Sequence, residues 1–504
     1  MNPTGEVTWN ATVLYAFAGG TDGSDPWGNL VFGPNGDLYG TTQHGGGGNC
    51  GDNNPGCGTV FQLTPESGGQ WTETVLHRFR DDSHGSQPIG ALLLDSSGNI
   101  YGTTDGNNYR GDVVFKLTES GGQWTEQVLD AFESRDAAFP MAPPTLASSG
   151  KIYGTTSGEG PYGHGGVFQL TPTGRDGWHE DMIYSFNGKD GANAFASVVL
   201  DGKGNLYGTT SDGGANGCGT IFELSPVGHG QWRETLLHSF DGSDGCSPRD
   251  LVFDAEGNLY GTTANSGAFG QGNVFEMSPS SKGGWSEATL YSFTGGSDGA
   301  SPGTTLIFDN TGNLYGMTYY GGSGACNDGY DIGCGVVFEL SPSGQGNWTE
   351  SVLYSFNVGN DAQNPLAGLV FDGSGNLYGT TVNGGTVGIG AVFELMPTSG
   401  GWSESVLYSF QATTDGIYPD CTLVLDAKGN LYGTTPEYKN FGDTTFQLSL
   451  SNGVWTEATL YTFGSGHDGA DPRGGVVSDG AGHLYGTTEG GGLLGAGVVF
   501  ELTP

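Results

Sequence analysis

Residues 369–381 read Leu-Val-Phe-Asp-Gly-Ser-Gly-Asn-Leu-Tyr-Gly-Thr-Thr, and this stretch decides the fold. An apolar run (Leu369, Val370, Phe371) passes through a tight Gly-Ser-Gly turn into a second short segment, NLYGTT. Short apolar segments split by turn residues read as strands of a hairpin. Reading outward, a glycine-rich loop leads to VFEL (residues 392–395), then a second turn, then WSESVLYSF (residues 402–410). These four segments are strands A, B, C and D of one unit. Strand A is apolar at consecutive positions, which predicts burial on both faces. Strand D mixes polar and apolar residues, as an outer, partly exposed strand does. The glycine inside NLYGTT predicts a close approach by a bulky aromatic of the next unit.

The unit recurs through the chain. Its tyrosines are Tyr39, Tyr101, Tyr153, Tyr207, Tyr260, Tyr315, Tyr378, Tyr432 and Tyr485. Its tryptophans are Trp9, Trp71, Trp124, Trp178, Trp232, Trp285, Trp348, Trp402 and Trp455, with Trp27 alone outside the series. A period of 52 to 63 residues suits a propeller blade and is too long for leucine-rich or ankyrin units. In this phase the chain opens with a lone D strand, Trp9 to Phe17, and closes with a unit lacking one. The expected fold is therefore all-β: one nine-bladed propeller over residues 1–504, with residues 9–17 pairing with the final blade, 472–504. Such pairing removes a naked edge. Two smaller rings would need a seam, yet the step from each D-strand phenylalanine to the next Pro (or Ala194) is always 8 or 9 positions.

The segments DSSGNIYGTT (95–104) and FDGSGNLYGTT (371–381) look like the A–B portion of NHL-type propeller repeats. The whole unit more closely resembles the glycine-rich tandem repeat of bacterial choice-of-anchor GloVer proteins. That resemblance implies a bacterial, exported or surface-attached protein and supplies no activity.

Composition restricts the partners. Fifteen Lys and Arg face 54 Asp and Glu, a net charge of −39, which repels nucleic acid and anionic membranes. Neutral ligands and divalent cations fit better, and the charge itself keeps an extracellular protein dispersed. No apolar run is long enough for a membrane helix. The first residues lack a basic head and an apolar signal core, so export implies a signal outside these 504 residues. The expected protein is a secreted or cell-surface monomer.

Seven cysteines leave one over. Cys50 with Cys57, and Cys326 with Cys334, fall in long B–C loops that lack the further soft ligands zinc wants, so disulfides are expected. Cys218 with Cys246 is a third pair that the blade geometry allows, which leaves Cys421 as a buried thiol.

The B–C loops and D-to-A crossovers share one face. Tyr-to-Phe spacing across B–C is 22 and 23 residues in blades 1 and 6 against 14 or 15 elsewhere, so this is the variable, candidate functional face. The crossovers carry D-G-x-x-P, with Asp22, Asp136, Asp190, Asp244, Asp298, Asp361, Asp415 and Asp468, and His84 in the second. A turn-forming role is expected for these; a carboxylate ring binding Ca²⁺ is the alternative. His77, His179 and His238 lie in D strands and read as surface or packing residues.

Departures from the repeat concentrate in blades 8, 9, 1, 2 and 3. Candidate ligand contacts are Trp27, Tyr109, Tyr162, His164, Tyr438 and Lys439; candidate catalytic groups are Asp105, Glu159, His84 and Arg110. Aromatics beside carboxylates suit neutral sugars, by stacking and hydroxyl bonding or by acid–base work. Phe195 reads as core packing. Two readings follow: a scaffold or carbohydrate-binding module, or a glycan-active enzyme, with a glycoside hydrolase ahead of a polysaccharide lyase. No serine-triad, P-loop, HExxH or dinucleotide signature is present.

Overall fold

The structure is a computed structural model, and the residues it describes are 9–48, 50, 56–80, 84–105, 112–132, 140, 142–174, 177–280, 283–326, 333–344, 346–411, 415–436, 442–464 and 466–504. They form nine antiparallel sheets, each ordered A-B-C-D, giving a nine-bladed β-propeller. Blade 4 is typical: Val199–Leu200, Leu206–Thr210, Thr220–Gly228 and Gln231–Ser239. No helix among the described residues is long and apolar enough to cross a membrane.

The N-terminal strand Asn10–Ala16 completes blade 9 by pairing with Val498–Thr503, from Asn10 opposite Thr503 to Ala16 opposite Val498. Its register slips by one residue between Val13 and Tyr15. The same bulge recurs between strands C and D elsewhere, as between Ile221 and Phe222 in blade 4. The first strand is therefore a full copy of strand D, bulge included, and it closes the ring.

Two of the repeat's aromatic residues are explained by one contact. Within each of the two compact units the strand-B tyrosine meets the strand-D tryptophan of the following blade edge-to-face, as do Tyr39 with Trp124, Tyr207 with Trp285, Tyr485 with Trp71 and Tyr432 with Trp9. Ring centroids lie 5.3–6.2 Å apart in these pairs, the range in which such stacking adds to burial. A blade that lost either residue would lose its hold on a neighbour.

Two expectations need correction. Strand B, not strand A, is buried on both faces: Leu206–Thr210 is buried at every position, while Val370–Phe371 of strand A is half-buried. Strand B lies between two partners within the sheet and between blades across it, whereas strand A has a sheet partner on one side only. The glycine of NLYGTT does admit an aromatic, but from its own blade. A Cβ at Gly208 would stand 2.5 Å from Cζ of Phe222, its cross-strand partner on strand C.

The inner strand also starts earlier than LVFD suggests. In blade 5 it runs from Cys246 to Phe253 with an irregularity after Pro248, and in blade 7 it comes in two pieces, Ala362–Pro365 and Val370–Phe371. The D-G-x-x-P crossover is thus the head of the inner strand. By contact density the chain divides into two compact units. One holds blades 8, 9, 1 and 2 (Met1–Glu133 with Phe410–Pro504), and the other holds blades 3 to 7 (Ser134–Ser409).

Candidate functional site

The head of the inner strand has an unusual backbone. The residue before the proline (or before Ala194) adopts a left-handed conformation in all eight described crossovers: Asp25, Gln87, Asn193, Ser247, Ser301, Asn364, Tyr418 and Asp471, with φ between 54° and 60°. None is glycine, and such residues carry a conformational cost on the order of 1 kcal/mol. Two hydrogen bonds offset it. In six of the crossovers the N–H donates to a backbone carbonyl of the preceding blade, as from Gln87 to Cys57 (2.6 Å), Ser247 to Cys218 (2.9 Å) and Asn364 to Cys334 (2.8 Å), whereas that of Asp471 donates to the Asp443 carboxylate (2.5 Å). The carbonyl accepts from the residue after GTT on strand B, as from Asp105 to Gln87 (2.9 Å) and Glu489 to Asp471 (2.9 Å). Two side-chain positions per blade are thereby brought together on the loop face.

In blades 9, 1 and 2 those positions hold polar and ionisable groups. Arg473 Nε lies 3.0 Å from Asp471 Oδ2 and 3.1 Å from Glu489 Oε2. The guanidinium carbon stands 5.4 Å from the centre of the Trp27 ring, in cation–π range. Trp27 remains 41% exposed. Burial pushes the Glu489 carboxyl above its ordinary value, Asp471 adds to that, and Arg473 opposes it. Bonding to Asp471 holds the Arg473 cation charged ever more firmly. Burial likewise raises Asp420, against the pull of Arg473.

A second group adjoins the first, since Asp25 adds to the raising of Glu489. Asp25 Oδ2 is 2.7 Å from His44 Nδ1, and Gln87 Nε2 is 3.3 Å from His44 Nε2. Asp105 follows through the Gln87 carbonyl; burial raises its carboxyl, and Asp112 adds to the effect. An aromatic surface, a cation and several carboxylates thus run along the loop face from blade 9 to blade 2.

Comparison with known proteins gives the lineage. Residues 2–148, 143–329 and 323–504 each match the Gloeobacter/Verrucomicrobia repeat. The chain belongs to that family. No curated protein matches it. Similar solved structures include the polysaccharide lyase Uly1, at 12% identity and a TM-score of 0.38, covering 87% of this chain and 93% of that one. A 6-phosphogluconolactonase candidate from Bacteroides uniformis is 15% identical with a TM-score of 0.39, covering 73% and 94%. A puromycin-hydrolyzing peptidase of Mycobacterium tuberculosis is 13% identical with a TM-score of 0.36, covering 88% and 60%.

Within this Gloeobacter/Verrucomicrobia-repeat propeller, the residues expected at the site are scattered. Trp27 stands in the cluster, and Asp105 joins its blade 2 end. His84 bonds instead to Glu126 Oε2 at 2.9 Å, in a cleft of about 420 Å³ lined also by His77, Arg78 and Arg80. Glu159 and His164 pair only through their backbones, as an isolated β-bridge within the B–C loop of blade 3, where Tyr162 is 61% exposed. Arg110, Tyr109, Tyr438 and Lys439 lie outside the described residues. Phe195, expected in the core, is 50% exposed, because it occupies the post-proline position that Trp27 holds in blade 1.

Arg473, Asp471, Glu489, Asp25 and Gln87 were not among the expected site residues. A signal for them exists: Trp27 and Arg473 follow the crossover proline in adjacent blades, and aligning repeats by Pro26 and Pro472 places them side by side. Three disulfides are present, Cys50–Cys57, Cys218–Cys246 and Cys326–Cys334, the pattern of an oxidising environment. Cys57, Cys218 and Cys334 occupy one repeat position, and their carbonyls accept the bond from the left-handed residue of the next blade. Cys421 keeps its thiol, which burial pushes up and which bonds with Thr434.

Proposed function

We propose that this propeller is an extracytoplasmic ligand-binding protein that takes a neutral glycan on the loop face of blades 9, 1 and 2. The reading rests on one observation: Trp27 is exposed on that face and backed by the Arg473 guanidinium, with Asp471 and Glu489 on the same cation. The apolar face of a sugar ring stacks on an indole, and carboxylates accept bonds from its hydroxyls. The net charge of −39 disfavours polyanionic ligands, unless a divalent cation such as Ca²⁺ bridges them. The disulfides support secretion or display at the cell surface.

Binding is favoured over hydrolysis by the arrangement of the carboxylates. A glycosidase keeps one protonated acid and one free carboxylate about 5–5.5 or 6.5–9.5 Å apart across the scissile bond. Asp471 and Glu489 instead share a single arginine nitrogen. The test is calorimetric titration with neutral cello-, xylo- and chito-oligosaccharides, alongside an assay for released reducing ends. Binding without turnover is expected, weakened about tenfold by Trp27→Ala and unchanged by Gln70→Ala in a C–D turn. Equal affinity in wild type and Trp27→Ala would reject the site, and release of reducing ends would reject the non-catalytic reading.

A further inference from the structure

At several blade junctions one side-chain trio repeats. The D-strand tyrosine donates to the crossover aspartate, beside a glutamate from strand D of the next blade. Tyr184 bonds to Asp190 (2.7 Å) near Glu234, Tyr291 to Asp298 (3.0 Å) near Glu350, and Tyr354 to Asp361 (2.8 Å) near Glu404. Between blades 4 and 5 the tyrosine is replaced by His238, whose Nε2 lies 2.6 Å from Asp244 Oδ2. With Glu287 this makes a set in which one donor atom from each of the three residues lies within 4.8 Å of the others. Among the described residues it is the one group of three metal-ligating side chains so close together.

We propose that His238, Asp244 and Glu287 bind a divalent transition-metal ion, zinc foremost, that clips blade 4 to blade 5. One imidazole with two carboxylates is a donor set that zinc accepts in a site keeping its fourth position for water. Zinc bonds of 2.0–2.2 Å place tetrahedral donors about 3.3 Å apart, so the present spacing requires only side-chain rotation. The three residues are half-buried, and Asp241 adds a further negative charge near Glu287.

The ligands come from three places: strand D of blade 4, the crossover, and strand D of blade 5. The Cys218–Cys246 disulfide joins the same crossover to the B–C loop of blade 4. The junction of blades 1 and 2 shows why histidine alone is not enough. There His77 and His84 accompany Glu126, but Arg78 and Arg80 line the same cleft and oppose a cation.

The tandem repeat supplies its own controls. The full chain is stripped with chelator and titrated with zinc by calorimetry, with thermal unfolding read in parallel. Wild type is expected to bind one equivalent more than His238→Tyr, which merely restores the residue of the other blades and should fold normally. Glu287→Gln should weaken that equivalent by more than about tenfold. Tyr291→His, which recreates the trio beside Asp298 and Glu350, should gain an equivalent. Identical stoichiometry and affinity in wild type and His238→Tyr would overturn the proposal. Failure of Tyr291→His to gain zinc would overturn the claim that these three donors suffice.

Discussion

Phe17→Ala measures what ring closure contributes to stability. Phe17 directly follows the first strand with its side chain wholly buried, its ring centre 5.1 Å from those of Tyr15 and Phe61. Its N–H donates to Gly497 at 3.0 Å, which ties the strand to the far end of the chain. Phe240, in an interior blade, has the same surroundings: no exposure, Phe275 at 5.3 Å, and an N–H bonded to Gly219 at 3.1 Å. Truncating a buried phenylalanine costs about 3–5 kcal/mol. If the first strand is a true member of blade 9, Phe17→Ala and Phe240→Ala should cost the same to within about 1 kcal/mol. In a chain of this size that corresponds to a fall in Tm of roughly 3–8 °C, extrapolated from smaller domains. Differential scanning calorimetry on both variants decides it. A large loss for Phe240→Ala with none for Phe17→Ala would show that the first strand does not hold the place assigned to it. Deleting residues 1–17 should go further and promote aggregation through the edge of Val498–Thr503.

Two further outcomes are expected. Burial pushes Glu73, Glu234, Glu350 and Glu404 up to about 7, with nearby aspartates adding to the effect. The folded state then holds extra protons between pH ~4.5 and 7, so their stabilisation is complete below that window and lost as pH rises through it. Each group is only partly buried, and solvent screening limits the effect to about 0.5–1 kcal/mol apiece. Tm should therefore be higher at pH 5.5 than at pH 8, and the quadruple Glu→Gln variant should flatten the curve; an unchanged slope would refute the assignment. Peptide mapping without reduction should recover the cross-links Cys50–Cys57, Cys218–Cys246 and Cys326–Cys334, with Cys421 alkylated only after unfolding. Thiols at the six paired positions, in protein from an oxidising compartment, would contradict the structure.

The blade count and the closure were legible because they depend on packing that every blade needs. Tyr207 and Trp285 pack against each other across two blades, so the pair recurs in phase with the fold. Strand A was misread as the doubly buried strand because consecutive apolar residues mark burial without saying which partners provide it. LYGTT hides its burial behind glycine and threonine. The site was half legible. Trp27 stood out as the one tryptophan off the repeat, but Arg473 is distant in sequence and meets it only because blade 9 adjoins blade 1. His238 passed as a surface or packing residue for the same reason, since Asp244 and Glu287 become its neighbours only once two blades are packed.

The left-handed residue at the head of each inner strand divides labour between backbone and side chain. Its N–H and carbonyl make the inter-blade and intra-blade bonds, and neither bond depends on what the residue is. Aspartate, glutamine, asparagine, serine and tyrosine all occupy the position in this one chain with the same φ. The repeat therefore carries a set of addresses at which chemistry can change while the scaffold stays constant. Divergence of function among such repeats need not wait for new loops. It can proceed one residue at a time around a rim whose geometry is already fixed, and a designer could write a binding surface there residue by residue.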